Sequence, residues 1–123
     1  MLKKLTTVLI VDAIEPQLPI WEKLGYAIVT RVPDTGTLGF VILNGKAGEL
    51  MLQTKASLAE DIPDIAKRKP SYTLFADVDS IAKTQPALAG AELIVDKRKA
   101  SYGPTESWFV LPGGTALGLA EHG

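Results

Sequence analysis

The feature that most constrains the fold is an internal repeat, in which three landmarks recur 65 residues further along the chain. The pairs are Asp12 and Asp77, Gly25 and Gly90, and Gly48 and Gly113. In each half, the Asp precedes a predicted helix, the first Gly ends that helix, and the second Gly precedes the last predicted strand. Self-similarity at a fixed period indicates a duplicated structural unit. The sequence therefore predicts two copies of one β-α-β-β-β module.

Apolar runs and turn residues define the elements of each module. Strands are predicted from β-branched and alternating apolar patterns, and helices from apolar residues three and four positions apart. The first module has a strand at 5–11, a helix at 14–24 whose start is delayed by Pro19, and strands at 26–32, 38–43 and 49–54. The second has a strand at 71–76, a helix at 79–88, and strands at 91–95, 106–111 and 116–120. The polar stretch 57–70 is predicted as a linker, which gives one α+β domain, 1–123, with modules at 1–56 and 71–123.

Composition narrows the possible functions. The 123 residues carry a net charge of −1 and include no cysteine, which argues against a nucleic-acid surface and excludes disulfides and thiolate metal sites. No apolar run approaches the ~20 residues of a membrane span, and no secretory signal is evident. We therefore expect a cytoplasmic protein that binds neither nucleic acid nor membrane. The basic run 97–99 is expected to be a solvated strand end or hairpin.

The tail of the chain suggests a ligand cleft. A turn at Gly113 and Gly114 is followed by a strand in which large and very small side chains alternate. Because side chains alternate across a strand, Leu117 and Leu119 share one face. The opposite face consists of Ala116, Gly118 and Ala120. Such a face leaves room for a bound molecule. The glycine pair lacks the following helix and the Lys-Ser/Thr of a phosphate loop, so it is predicted as a turn.

Three motifs resemble the vicinal-oxygen-chelate superfamily, which includes glyoxalases, extradiol dioxygenases and bleomycin-resistance proteins. They are Val11-Asp12-Ala13 with Trp21-Glu22-Lys23-Leu24-Gly25-Tyr26, Tyr102-Gly103 with Glu106, and Leu111-Pro112-Gly113-Gly114. The resemblance covers nearly the whole chain. It implies that the two modules form a curved half-barrel around a ligand, and that two chains pair as a homodimer.

The same resemblance provides a test for metal chemistry. Metal-using members have ligands, typically His and Glu, on the first and last strands of each module. The corresponding positions here are Thr6, Gln53, Ser71 and Gly118, and none is His or a carboxylate. The single histidine, His122, is penultimate and is expected to be a solvated chain end. We therefore expect no metal cofactor.

Strand alternation adds Met51 and Thr73 to these four positions, and the aromatic residues Tyr102 and Trp108 complete the candidate ligand-binding set. The set is Thr6, Met51, Gln53, Ser71, Thr73, Tyr102, Trp108 and Gly118. Each has a plainer alternative: Trp108 is favoured as core, and Tyr102 could be a rim residue or a hairpin contact.

These residues leave three hypotheses open. The first is a metal-free protein that binds a small, partly aromatic or amphipathic molecule. The second is a lyase or isomerase, or a dioxygenase-like enzyme with a non-standard metal site, in which Glu49 or Glu106 acts as base and Tyr102 as hydrogen-bond donor. The third is a subunit whose cleft is filled by its own side chains.

Overall fold

A computed structural model describes residues 1–123 and contains eight strands and four short helices. The elements, in chain order, are β1 (Leu2–Val11), α1 (Leu18–Lys23), β2 (Ala27–Val32), β3 (Phe40–Gly45), β4 (Gly48–Thr54), α2 (Lys55–Asp61), α3 (Pro63–Ala66), β5 (Tyr72–Val78), α4 (Ile81–Thr84), β6 (Glu92–Lys99), β7 (Thr105–Val110) and β8 (Ala116–Glu121). Single 3-10 turns at Glu15–Gln17 and Gln85–Leu88 flank α1 and α4. The predicted α+β class is confirmed. None of the helices is long and apolar enough to cross a membrane.

The chain divides into two compact units. The first unit comprises residues 7–71, and the second comprises residues 1–6 together with 72–123. Residues 57–70, predicted as a linker, lie within the first unit and include most of α2 and all of α3. Their apolar side chains Leu58, Ile62 and Ile65 are buried. Spacings of four and three residues place these side chains on one side of the helical segment, so a polar composition conceals an amphipathic pattern.

Both units have the same sheet topology, which confirms the two predicted β-α-β-β-β modules. The strand order is β2-β3-β4-β1 in the first and β6-β7-β8-β5 in the second. In each, the first and last strands of the module are parallel, and the two remaining neighbouring pairs are antiparallel.

The strands repeat at 67 residues rather than at the predicted 65. Val11 at the end of β1 lies opposite Thr54, and Val78 at the end of β5 lies opposite Glu121. Ile14 and Ile81, which follow these strand ends, are both buried and differ by the same 67 positions. The predicted value is wrong because three of its glycine landmarks, Gly25, Gly90 and Gly113, lie in connections, whose lengths differ between modules.

The corrected repeat changes which candidate positions are equivalent. Thr73, not Ser71, now corresponds to Thr6, and Ala120, not Gly118, corresponds to Gln53. Because the correction is an even number of residues, it leaves the predicted strand faces unchanged.

A hydrophobic core lies on the helix side of each sheet. The first consists of Ile14, Leu38, Val41, Leu43 and Leu52, and the second of Ala76, Val78, Ile81, Phe109, Leu117 and Leu119. Burying one such large side chain contributes about 1.5–3 kcal/mol before the entropy of ordering is counted. The alternation places Met51 and Gln53 of β4, and Phe75 of β5, on the sheet faces that lie away from these cores.

Side chains cap the beginnings of two helices, α2 and α4. The Thr54 hydroxyl accepts the Ser57 N–H at 3.0 Å before α2, and the Ser80 hydroxyl accepts the Lys83 N–H at 3.1 Å before α4. Such caps satisfy amides that have no partner within the helix. The first helix begins only at Leu18, with Pro19 in its first turn, as expected from a residue that disfavours a helix interior.

Candidate functional site

A polar row crosses the sheet of the second unit on the face opposite α4. Strand register places Asp77 of β5 opposite Ala120 of β8, Ala120 opposite Glu106 of β7, and Glu106 opposite Arg98 of β6. The neighbouring row is aromatic and contains Phe75, Gly118 and Trp108 on the same three strands, β5, β8 and β7. The fold thus brings a buried acid, its basic partner and two aromatic rings onto one face of one sheet.

Arg98 reaches this face because β6 is irregular. Val95 lies opposite Trp108, and three residues further on Arg98 lies opposite Glu106, only two residues from Trp108. One extra residue is therefore accommodated in a β-bulge, where Lys97 has a positive φ of 50° and its N–H donates to the Ser107 hydroxyl at 2.9 Å. A bulge re-aims the side chains that follow it. The expected solvated strand end is thus wrong for Arg98, whose side chain is only 22% exposed.

The Glu106 carboxylate is the centre of the cluster. The residue is 2% exposed, and its Oε1 accepts hydrogen bonds from Arg98 Nη2 at 2.7 Å, Arg98 Nε at 3.1 Å and Trp108 Nε1 at 3.0 Å. Its Oε2 accepts the hydroxyl of Tyr102. A buried carboxylate is costly unless it is paired and hydrogen-bonded, and here both oxygens have partners.

The Trp108 indole covers Gly118. A Cβ atom at position 118 would lie 2.5 Å from the indole ring, and Trp108 itself is 4% exposed. The Phe75 ring lies beside it, with centroids 6.0 Å apart and planes tilted by 37°. The space that the small-residue face was expected to leave is therefore occupied, at Gly118, by a tryptophan of the same unit.

Tyr102 joins the cluster from the loop between β6 and β7. The residue is 58% exposed, yet its hydroxyl reaches the nearly inaccessible Glu106. Burial of that hydroxyl end raises the pKa of Tyr102 far above its usual range, and the hydrogen bond to Glu106 and the negative charges of Glu106 and Asp77 raise it further. The phenol consequently stays protonated and donates to the carboxylate.

His122 lies at the end of the polar row. Its Nε2 is 3.1 Å from Asp77 Oδ1, and its side chain is 57% exposed. It is solvent-exposed, as expected of a chain end, and it contacts an acidic residue of the cluster.

The remaining predicted residues are divided between the units. Thr6 and Thr73 are buried in the second unit. In the first unit, Gln53 Nε2 donates to the Ser57 hydroxyl at 3.2 Å and Met51 is half-buried beside it on β4. Ser71 is exposed and contributes its carbonyl to Ile10 N–H at 3.0 Å.

Of the three proposed acid–base residues, the structure brings Glu106 and Tyr102 together. Glu49 belongs to the first unit, where it is half-buried on β4 opposite Asn44. Its role stays a prediction.

The residues present do not fit the metal that the resemblance implies. The four predicted ligand positions contain two hydroxyls, one amide and a glycine, and the corrected repeat adds only a threonine and an alanine. No group of three or more His, Cys, Asp or Glu side chains is clustered closely enough to bind a metal ion. Catalytic sites for Zn²⁺ or non-haem iron normally use about three such ligands.

The cluster combines a hydrogen-bonded carboxylate with a protonated phenol. Both oxygens of Glu106 already accept hydrogen bonds, and the phenol of Tyr102 does not ionise in the ordinary pH range. Apolar rings beside a few fixed polar groups are typical of small-molecule sites.

Two members of the cluster were not among the predicted site residues. Asp77 was predicted as a strand-end landmark, and Arg98 as part of a solvated run. A signal for Arg98 exists in charge complementarity, because a buried Glu on a strand requires a basic partner. The bulge conceals that signal, since simple alternation from Val95 places Arg98 on the other face.

Solved structures share this fold. A Staphylococcus aureus protein superposes with a TM-score of 0.68 at 17% identity, over 100% of this chain and 99% of that one. A Legionella pneumophila protein described as an NAD-dependent benzaldehyde dehydrogenase gives 0.67 at 14% identity, over 98% and 100%. A glyoxalase/bleomycin resistance protein/dioxygenase superfamily member from Vibrio splendidus gives 0.64 at 15% identity, over 96% and 97%.

The chain therefore has the glyoxalase/bleomycin-resistance fold, as the sequence resemblance implied. No protein-family model matches the sequence, and no curated protein matches it at a significant level. At these identities the likeness defines the fold alone, because one fold supports many activities. The function must be argued from the site.

Proposed function

We propose that the protein binds a small, partly aromatic or amphipathic molecule, without a metal, on the face of the second unit that contains Trp108 and Glu106. The observation that supports this most directly is the buried carboxylate of Glu106, enclosed by Arg98, Tyr102 and the Trp108 indole. The aromatic row offers apolar contact, and the polar row beside it orients the ligand's polar group.

Stability alone does not account for such a network. Replacing a buried ion pair by apolar side chains of similar size is often neutral or stabilising by about 1–4 kcal/mol. The helix-side core of the same unit consists of apolar side chains. We therefore attribute the carboxylate and the guanidinium on the other face of that sheet to recognition of a ligand rather than to stability.

The enzymatic alternative, a lyase or isomerase, requires Glu106 to accept a proton from a substrate while it holds hydrogen bonds from Arg98, Tyr102 and Trp108. It predicts turnover that is lost in Glu106→Gln. Ligand binding without turnover in the wild type supports the binding protein instead.

Calorimetric titration with a panel of small aromatic and amphipathic compounds tests the proposal. Phe75→Leu, which removes one ring beside Trp108, should weaken the binding of any compound that the wild type takes up. Phe40→Leu is the matched control, because Phe40 is a half-buried strand residue of the first unit. A panel without a binder, equal effects of the two variants, or a tightly held stoichiometric metal in the purified protein would count against the proposal.

A homodimer and a cytoplasmic location complete the proposal. Val29 and Val32 on β2 are 59% and 52% exposed, and Leu24 just before them is 63% exposed. Pairing with a second copy would remove such apolar side chains from water. Light scattering should give twice the mass of one chain, and a single-chain mass would refute the dimer.

A further inference from the structure

We propose that the Tyr102 hydroxyl occupies the place of the ligand's polar group, and that this group is a hydrogen-bond donor, cationic or neutral, and not an anion. The inference rests on the proposed binding function and specifies the class of ligand. On binding, the ligand's donor replaces the phenol on Glu106.

Among the donors to Glu106, Tyr102 is the one that can be displaced. Arg98 and Trp108 lie on strands β6 and β7, whereas Tyr102 lies in the loop between them. Most of the Tyr102 residue is exposed, while Glu106 is 2% exposed. Moving this one side chain into solvent uncovers Glu106 Oε2 and leaves the three hydrogen bonds to Oε1 intact. An exposed side chain on a loop moves at smaller cost than a strand residue in a packed core.

Charge at this position favours donors over anions. Two carboxylates, Glu106 and Asp77, act on the Tyr102 hydroxyl, against one guanidinium, Arg98. Both carboxylates oppose the formation of a phenolate there, and they would oppose any other anion in the same place. An ammonium group is attracted by the same pair. Its attached ring can pack against the half-buried ring of Phe75.

The test uses the tryptophan of the cluster as reporter. The chain has two tryptophans, and Trp21→Phe leaves Trp108 as the sole indole. In this background, Trp108 fluorescence is titrated at pH 7.5 with phenethylamine and with phenylacetate. The two probes share a phenyl ring and differ in bearing a cationic donor or an anion. We expect phenethylamine to bind at least about tenfold more tightly, a factor that corresponds to ~1.4 kcal/mol.

Two variants assign the preference to the cluster. Tyr102→Phe removes the competing hydroxyl and keeps the ring, so the affinity for phenethylamine should rise by a few-fold, on the order of one lost hydrogen bond. Tyr72→Phe is the matched control, because Tyr72 is an exposed tyrosine of the same unit, and it should leave the affinity unchanged. Glu106→Gln removes the charge and should abolish the preference for the amine, with folding checked by circular dichroism.

The outcomes separate the two proposals. Equal affinity for both probes, or weaker amine binding in Tyr102→Phe, would overturn the inference and leave the binding function standing. If phenylacetate bound more tightly than phenethylamine, the assigned ligand class would be reversed. If neither probe altered Trp108 fluorescence and the calorimetric panel also contained no binder, both proposals would fail.

Discussion

The two units share one topology but differ in the side chains on the sheet face that lies away from the helices. In the first, Ile42 lies opposite Met51 and Phe40 lies opposite Gln53. At the equivalent pairs of the second, Trp108 lies opposite Gly118 and Glu106 lies opposite Ala120. On this face of the sheet, β4 of the first unit presents the large side chains Met51 and Gln53. On the same face of the second unit, β8 presents only Gly118 and Ala120.

This difference explains how the second unit acquires a polar cluster. Small residues on β8 provide volume that Trp108 of the neighbouring strand enters. The same strand leaves only a methyl group between Asp77 and Glu106 in the polar row. In the first unit the equivalent place is held by Gln53, whose amide hydrogen-bonds to Ser57. The two units therefore have the same strand order, but large residues on β4 of the first correspond to small residues on β8 of the second.

The largest expected effect comes from breaking the buried ion pair of the second unit. Glu106→Ala leaves Arg98 without its carboxylate partner and should lower the free energy of unfolding by ~3 kcal/mol, measured by urea denaturation at pH 7. Asp12→Ala, which breaks the exposed Lys55–Asp12 pair of the first unit, should cost less than about 0.5 kcal/mol. Equal losses would remove the contrast between the units.

A double variant sharpens the same point. If the network serves recognition rather than stability, Arg98→Met combined with Glu106→Leu should recover most of the stability lost in Glu106→Ala. Ligand binding should not recover. A double variant as unstable as Glu106→Ala would assign the pair a structural role.

The packing of Trp108 on Gly118 gives the next largest effect. Gly118→Ala places a Cβ 2.5 Å from the indole, which must shift against its hydrogen bond to Glu106, and we expect a loss of ~2 kcal/mol in chemical denaturation. Gly90→Ala is the control, because nothing lies within 4 Å of a Cβ there. The double variant Trp108→Ile with Gly118→Met copies the first unit's pair and should be more stable than either single variant. If the losses of unfolding free energy in the two single variants added up in the double variant, the large and small residues would not be interchangeable between the two strands.

A smaller effect concerns Tyr102 at alkaline pH. Since the pKa of Tyr102 is raised in the folded state above the ordinary value of 10.0, its contribution to stability is complete below pH 10 and declines as the pH rises further. The phenolate absorbance of the wild type minus that of Tyr102→Phe should therefore show no ionisation near pH 10 while the protein remains folded. Phenolate in that difference at pH 10 would show that the hydroxyl is not held by Glu106.

The smallest effect lies at the acid end, in the first unit. The Leu38 N–H donates to Glu15 Oε2 at 2.8 Å and lowers the pKa of that carboxyl. A lowered pKa contributes stability at pH values above the unfolded pKa, and the contribution is lost as the pH falls through the folded value. Glu15→Gln should therefore flatten the pH dependence of unfolding slightly below pH 4.5. An unchanged profile would contradict the role of this bond.

Strand alternation and the module order were predictable from the sequence because they depend on local pattern alone. The strand faces of Met51, Gln53 and Phe75 follow directly from period two. The equivalence of the modules was predicted at the wrong offset, because most of the glycine landmarks lie in connections, which differ in length. The buried pair Ile14 and Ile81 would have given the correct value.

The candidate site was predicted only in part, because its assembly depends on a local irregularity. Glu106, Trp108 and Tyr102 lie on or beside one strand and were all singled out. Arg98 was not, since the bulge before it reverses the face expected from alternation. Nor could the sequence show that Trp108 fills the space over Gly118, because that contact depends on the pairing of β7 with β8.

The bulges also affect how copies of this chain can meet. One strand at an end of each unit's strand order, β2 in the first and β6 in the second, has extra residues in its pairing, at Val29 and in the segment leading to Arg98. Such interruptions prevent a regular ladder of backbone hydrogen bonds with a foreign strand. Association through side-chain surfaces can form a closed dimer, whereas pairing of strand edges could add further copies indefinitely. We therefore expect the irregularity that aims Arg98 at Glu106 also to oppose edge-to-edge pairing of copies.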